Sequence, residues 1–401
     1  MKPGTAIIAG GSLAGLLAAN ILARDGWTVR VCERVASGLD GRGAGIATHE
    51  ELFDAMRQAG AKVDALIGIH IEGRTAVNRD GSLLCRFDYP QILTSWTLLY
   101  RRLLAVLPDG VYHLGRDVVD VIDDNNRAAV VFADGTTDEA DLVIGADGSW
   151  SNVRARCAPT ARPQYAGYVA WRGLIPESMV SVELARHYAP VHAFSLAEDR
   201  QFVHFAVTGP DDSITEGRRR FSFLWYVPFD EHSELPDLLT DVEGVRHPNS
   251  ISPLKIHPKH VEKLKREAVE LLPADFASTV CKTEHPFVQP IYDLASEHVG
   301  FGRIALVGDA AFIARPHVGA GVAKAGGDAM CLSRVLHENA DVASAIKAYN
   351  HERGRFGRAI VAESRRLGAY LARPKPGAMR EPQLPTLRMI GEVAMPLQLD
   401  P

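Results

Sequence analysis

The stretch TAIIAGGSLAGLLAANILARDGWTVRVCE, residues 5–33, decides the fold. Its first five residues, TAIIA, form the short continuous apolar run of a strand buried on both faces of a parallel sheet. Gly10 to Gly15 make a glycine-rich turn, and Leu16 to Asp25 read as a helix that stops near Gly26. Residues 28–33 form a second strand ending on Glu33, which completes a βαβ unit. A pyrophosphate can rest on a helix N-terminus only where the backbone turns tightly and no side chain intrudes. Gly10 supplies the turn and Gly15 the close approach of helix to strand. Ser12 replaces the middle glycine of G-x-G-x-x-G, and Leu13 and Ala14 complete the loop. Glu33 stands where a carboxylate binds ribose hydroxyls, with Arg34 beside it. A purely structural glycine turn is the alternative reading.

Two further motifs share this grammar. Residues 141–154, DLVIGADGSWSNVR, are a buried strand running into a turn that places Asp147 at the carboxyl edge of the sheet, where ligands bind. A capped strand-to-helix turn would look the same. Residues 302–329, GRIALVGDAAFIARPHVGAGVAKAGGDA, repeat strand, turn and helix. Here Asp309 suits a ribitol hydroxyl. The loop of Pro316, Gly319, Ala320 and Gly321 would let backbone amides approach a flavin ring, with a glycine-rich connection between helices as the alternative reading.

Between the motifs, helices are expected over Glu50–Ala59 and Leu98–Leu107. Strands are expected over 68–90, and two or three more over 116–144. Residues 165–285 are rich in aromatic and β-branched side chains, as in FSFLWYVPF at 221–229, and read as an antiparallel sheet followed by helices. Helices should begin near Ala320 and Ala343. The last thirty residues carry six prolines and read as an extended tail.

The fold class is therefore α/β: a Rossmann-like dinucleotide-binding domain interrupted by a β-rich substrate domain. The expected division assigns 1–70, 97–163 and 284–370 to the first domain, 71–96 and 164–283 to the second, and 371–401 to the tail. The chain has 401 residues, 46% of them hydrophobic, and a net charge of −5, which gives no electrostatic footprint for nucleic acid. Five scattered cysteines form no C-x-x-C pair, so neither a disulfide framework nor a metal site is expected. The glycines at 10–15 argue against a signal peptide, and no other run approaches the ~20 apolar residues of a membrane span. A cytoplasmic protein is expected, and a homodimer is left open.

Taken as a set, the three motifs resemble those of the group A flavoprotein aromatic hydroxylases, the p-hydroxybenzoate hydroxylase-like family. The resemblance spans roughly residues 5–370. Within it, YAGYVAWRG (165–173) and ARPHVGAGVAKAGGDA (314–329) are similar to hydroxypyridine-hydroxylating members, and GAGIATHEEL (43–52) resembles the flavin-side loop, adding Gly43 and Gly45 to the cofactor residues. Two single positions and one loop depart from the pattern. Trp96 stands where an FAD-contacting arginine is common, Phe312 replaces a histidine after GDAA, and Gly319 to Ala323 replace the G-Q-G-x-N loop.

The resemblance implies noncovalent FAD, reduced by a transiently bound NADH or NADPH. It also implies O2 activation as a flavin C4a-hydroperoxide and hydroxylation of a small aromatic ring. Such a ring reacts faster when a hydroxyl is deprotonated or strongly hydrogen-bonded, a task for histidine or tyrosine. His204, His49 and Tyr226 are the candidates, His204 foremost, with His317 and Arg172 nearby in the pattern. Other FAD oxidations on the same fold, and a non-catalytic flavin- or ligand-binding role, remain as alternatives.

Overall fold

Thr5–Ala9 is a central strand of a six-stranded sheet, flanked by Leu142–Gly145 and Thr28–Glu33, both parallel to it. Ile304–Leu306 extends the sheet beyond Leu142–Gly145, so all three motif strands end at one edge. Ile7, Ile8, Val143 and Ile144 are buried, as strands covered on both faces require. The helices Leu13–Arg24 and Gly321–Glu338 pack together against this sheet. The structure is a computed structural model that describes residues 1–41, 45–374 and 379–396.

A nine-stranded sheet forms the second layer, and its central strands are Gln164–Pro176, Arg220–Pro228, Arg200–Val207 and Val191–Ala197. Its two faces bury different cores. Phe202, Phe221, Phe223 and Trp225 pack against the helices Val182–Tyr188 and Ala274–Lys282. Val203, Phe205, Leu224 and Tyr226 lie on the other face, toward the dinucleotide-binding half. Each large side chain so buried contributes about 1.5–3 kcal/mol. No helix among the described residues is long and apolar enough to cross a membrane.

The structure differs from the sequence expectations in three places. Residues 116–144 hold four strands, three of them in a separate small sheet. The strand Phe287–Ala295 belongs to the nine-stranded sheet, so the expected boundary at 284 falls too early. Its C-terminal end pairs with Phe312–Ile313, which joins the layers.

The third difference is the tail, which is not simply extended. Pro385 precedes a helix, Thr386–Glu392, that packs on the strands Ile69–Val77 and Leu83–Ser95. Met389 and Ile390 are fully buried. The fully buried Arg74 donates to the carbonyls of Ile390 (2.8 Å), Val393 and Ala394 (3.0 Å), and so pins the segment.

Candidate active site

The first strand–helix turn depends on two glycines. Gly10 has φ +104°, and a Cβ there would lie 2.4 Å from the Ala146 carbonyl oxygen. A Cβ on Gly15 would lie 1.9 Å from the Gly10 oxygen, so helix and turn could not close. The first intrahelical bond is Leu16 N–H to Ser12 O at 2.9 Å, which leaves the amides of Leu13, Ala14 and Gly15 ahead of it, free of intrahelical partners. The Leu13 side chain is buried, and Ala14 packs against Gly308, so only their backbone can serve a ligand. Glu33 is buried and accepts from Gly11 N–H and Val35 N–H, both at 2.9 Å. Gly10, Ser12, Glu33, Arg34, Trp96 and Asp147 border a cavity of about 280 Å³. The bare turn, the free helix end and the carboxylate fit the ADP half of FAD. Trp96 stacks on Tyr100, with ring centroids 4.9 Å apart, and forms an aromatic wall in place of the family's arginine.

Asp147 has a structural duty besides any ligand contact. It accepts from Ser151 Oγ and from Val153 N–H at 3.2 Å, bracing the start of the helix Asn152–Cys157. Burial raises its carboxyl above the usual range. The neighbouring Arg154, which the motif reading did not single out, is buried and donates to the carbonyls of Ser149, Asp309 (3.3 Å) and Ala310 (3.1 Å). This one guanidinium ties the second motif to the third.

The third motif rests on buried charge. Lys324 is fully buried and donates to the carbonyls of Gly308 and Phe312 (2.6 Å), with its ammonium 3.7 Å from Asp309 Oδ1. Asp328 accepts from Gly308 N–H at 2.9 Å and pairs with Arg353 at 2.7 Å. Asp309 itself is half-exposed and also reaches Ser149 Oγ at 3.4 Å. Phe312 is fully buried against Gly357, where a Cβ would lie 2.0 Å from its ring, so it fills core rather than meeting a ligand.

A second cavity, of about 230 Å³, lies between this motif and the nine-stranded sheet. Gly45, Asp309, Pro316, Gly319 and Gly321 border it on the dinucleotide-binding side. Ala320 is buried in the core behind them, and Gly43 lies outside the described residues. The opposite wall comes from alternate residues of the strands: Gln201, Val203 and Phe205 on one, Leu224 and Tyr226 on the next. Arg172 joins them, its guanidinium 2.8 Å from Gln289 Oε1.

Tyr226 and His317 sit together, with ring centroids 4.5 Å apart. His317 Nε2 is 2.9 Å from Tyr168 Oη, and its Nδ1 has no hydrogen-bond partner. Burial lowers the His317 imidazole to about 3 and pushes the Tyr226 phenol well above its usual range. At neutral pH His317 is uncharged and Tyr226 protonated.

His204 is not in this wall, which corrects the sequence expectation. It shares a strand face with Phe202, and Phe202 lies in the core beneath the helices. The His204 ring stacks on Phe221 at 4.9 Å, and Nε2 is 3.3 Å from Thr279 Oγ1. His49 does not border the cavity either. Its Nε2 is 3.2 Å from the Gly319 oxygen, so it props the glycine loop from behind, and burial lowers it to about 4. The wall instead includes two residues that the sequence did not single out, His192 and Gln201. The tail also contributes: Val393 and Ala394 border the cavity, and Ala394 N–H donates to the His317 carbonyl at 2.8 Å.

A family model described as FAD binding domain-like matches residues 165–293, the β-rich part of the chain. The chain is 30% identical over 377 residues to 2,6-dihydroxypyridine 3-monooxygenase of Paenarthrobacter nicotinovorans, covering 92% of this chain and 93% of that one. It is 29% identical to 6-hydroxynicotinate 3-monooxygenase of Pseudomonas fluorescens, over 86% and 84% of the two chains. The solved structure of 2,6-dihydroxypyridine-3-hydroxylase from Arthrobacter nicotinovorans superposes with a TM-score of 0.87 at 29% identity, covering 94% of this chain and 95% of that one. Klebsiella pneumoniae HpxO complexed with FAD and uric acid has a TM-score of 0.72 at 22% identity, over 90% and 87% of the chains, a likeness of fold.

Proposed function

Because this chain belongs to the FAD-dependent aromatic hydroxylase family, we propose that it hydroxylates a small, oxygen-substituted aromatic or N-heteroaromatic ring, a hydroxypyridine in the favoured case. NADH or NADPH and O2 are the co-substrates. The observation that carries the reading is the second cavity: Val203, Phe205 and Leu224 give it an apolar surface on which Arg172, His192, Tyr226 and His317 converge, facing the glycine loop of the third motif.

FAD would be held noncovalently, its ADP half on the Gly10–Gly15 turn with Glu33, and its ring side by Gly45, Asp309, Pro316, Gly319 and Gly321. The flavin supplies electron transfer from the nicotinamide and activation of O2. The protein supplies position, polarity and dryness. Val203, Phe205 and Leu224 exclude water from the ring. Tyr226, protonated and buried, donates its Oη–H to a ring oxygen, and neutral His317, braced by Tyr168, steadies the same edge.

Charge favours an ionised ring hydroxyl. Among the described residues, neither Arg172 nor the buried Arg74 forms an ion pair. Two guanidiniums without carboxylate partners, one in the wall and one behind it, stabilise a negative ring oxygen. An ionised hydroxyl enriches the ring in electrons and speeds attack on an electrophilic oxygen.

The test is NAD(P)H oxidation by the FAD-loaded protein with 2,6-dihydroxypyridine, 6-hydroxynicotinate and p-hydroxybenzoate, each with product analysis. One hydroxylated product per reduced nicotinamide, from a hydroxypyridine above the benzoate, is the expected result. Oxidation that is indifferent to all three rings, with only peroxide formed, would reject the proposal.

A further inference from the structure

His192 lies on the strand Val191–Ala197, on the cavity face, and is 4% exposed. Neither of its ring nitrogens has a hydrogen-bond partner. The other buried histidines of the region, His49, His204 and His317, each satisfy one nitrogen. A buried imidazole loses water from a donor and an acceptor at once, and native structures rarely leave such groups unmatched. Phe194 and Phe205 hold the ring, with centroids 4.7 and 4.9 Å away. Burial and the adjacent Arg74 charge hold the imidazole well below its usual range. It stays neutral and offers one N–H and one lone pair.

Register gives its place in the wall. Gln201 is paired with Tyr226, and His204 with Ala193, so His192 lies beside Phe205. Phe205 is four residues along the strand from Gln201, roughly 13 Å at strand rise. Val203 and Leu224 fill the interval with apolar surface. The wall thus sets Tyr226 toward one end and His192 toward the other, with Arg172 beside Leu224 on the next strand between them.

We propose that His192 is a substrate-recognition residue whose ring N–H donates to an oxygen substituent on the side of the ring opposite Tyr226. The pocket then selects rings that carry oxygen on both sides over rings that carry it on one. This inference rests on the reading of the cavity as an aromatic-hydroxylase pocket.

The experiment compares 2,6-dihydroxypyridine with 2-hydroxypyridine. Each is titrated anaerobically into FAD-loaded protein, and binding is read from the flavin absorbance. The wild-type protein should bind the dihydroxy compound more tightly by roughly tenfold, the scale of one good hydrogen bond. His192→Phe keeps a flat ring between two phenylalanines and should retain FAD. It should lose roughly tenfold for 2,6-dihydroxypyridine and little for 2-hydroxypyridine.

Unchanged affinity for 2,6-dihydroxypyridine, or equal loss for both ligands, would overturn the role of His192 and leave the pocket reading intact. If the phenylalanine variant does not take up FAD, His192→Asn is judged by the same two outcomes. A wild-type protein that binds neither pyridine would overturn the pocket reading and this inference together.

Discussion

His204→Phe separates a buried structural histidine from a catalytic one. The ring lies against Phe221, Phe276 and Tyr188 with only the Thr279 hydroxyl as a hydrogen-bond partner among the described residues, and burial lowers it from 6.5 to about 3. The unfolded chain binds a proton on this ring below about pH 6.5, whereas the folded chain does not until about pH 3. Its neutral state therefore contributes stability in full above pH 6.5, and that contribution drains as the pH falls toward 3. At pH 5 the loss is about 2 kcal/mol. Phenylalanine removes the ionisation and keeps the stacking. Any overpacking it introduces is the same at both pH values, so the difference between pH 7 and pH 5 isolates the proton. Trp171 and Trp225, buried in the same core, report unfolding of this half by fluorescence. Denaturant titrations should show the variant losing about 2 kcal/mol less than wild type between pH 7 and pH 5, with FAD content and turnover retained. Equal acid sensitivity in the two proteins would refute the burial argument. Lost turnover with FAD intact would return His204 to the active site.

Glu33→Gln keeps one oxygen for two backbone N–H groups and turns an N–H toward the other. At about 1.5–3 kcal/mol for a bond to a charged group, FAD affinity should fall by roughly 10- to 100-fold; wild-type affinity in a flavin fluorescence titration would show that the carboxylate does not organise this turn. Lys324→Met leaves the carbonyls of Gly308 and Phe312 without their donor and Asp309 without its cation. At about 1–3 kcal/mol for each buried orphan, purified protein should carry less FAD and melt lower, and an unchanged FAD ratio and melting temperature would refute that role.

The parts legible in the sequence are those whose physics is local. A strand, a bare turn and a helix within residues 5–33 determine one another through their own backbone, and a clash of Gly15 with Gly10 needs no distant partner. Strand alternation is equally local, and it places His204 and Phe202 on one face of their strand. It could not say which face would be covered by helices and which by the dinucleotide-binding half, because the covering elements come from far along the chain. His192 and His204 show the limit. Each is a lone histidine in an apolar, aromatic strand, and from the sequence alone the two are equivalent. One sits in helix-covered core with a threonine beside it, and the other borders a cavity with both nitrogens buried and without a hydrogen-bond partner. The tail fails for the same reason: its prolines suggest extension, yet its place is set by a buried arginine at position 74 and the carbonyl of His317. Lys324 hides differently, since a lysine among glycines reads as solvated until the carbonyls it satisfies are brought around it. The cofactor end is built from short-range backbone geometry. The wall of the second cavity is built from strand faces that only the complete fold assigns, so the first turn was readable and the wall was not.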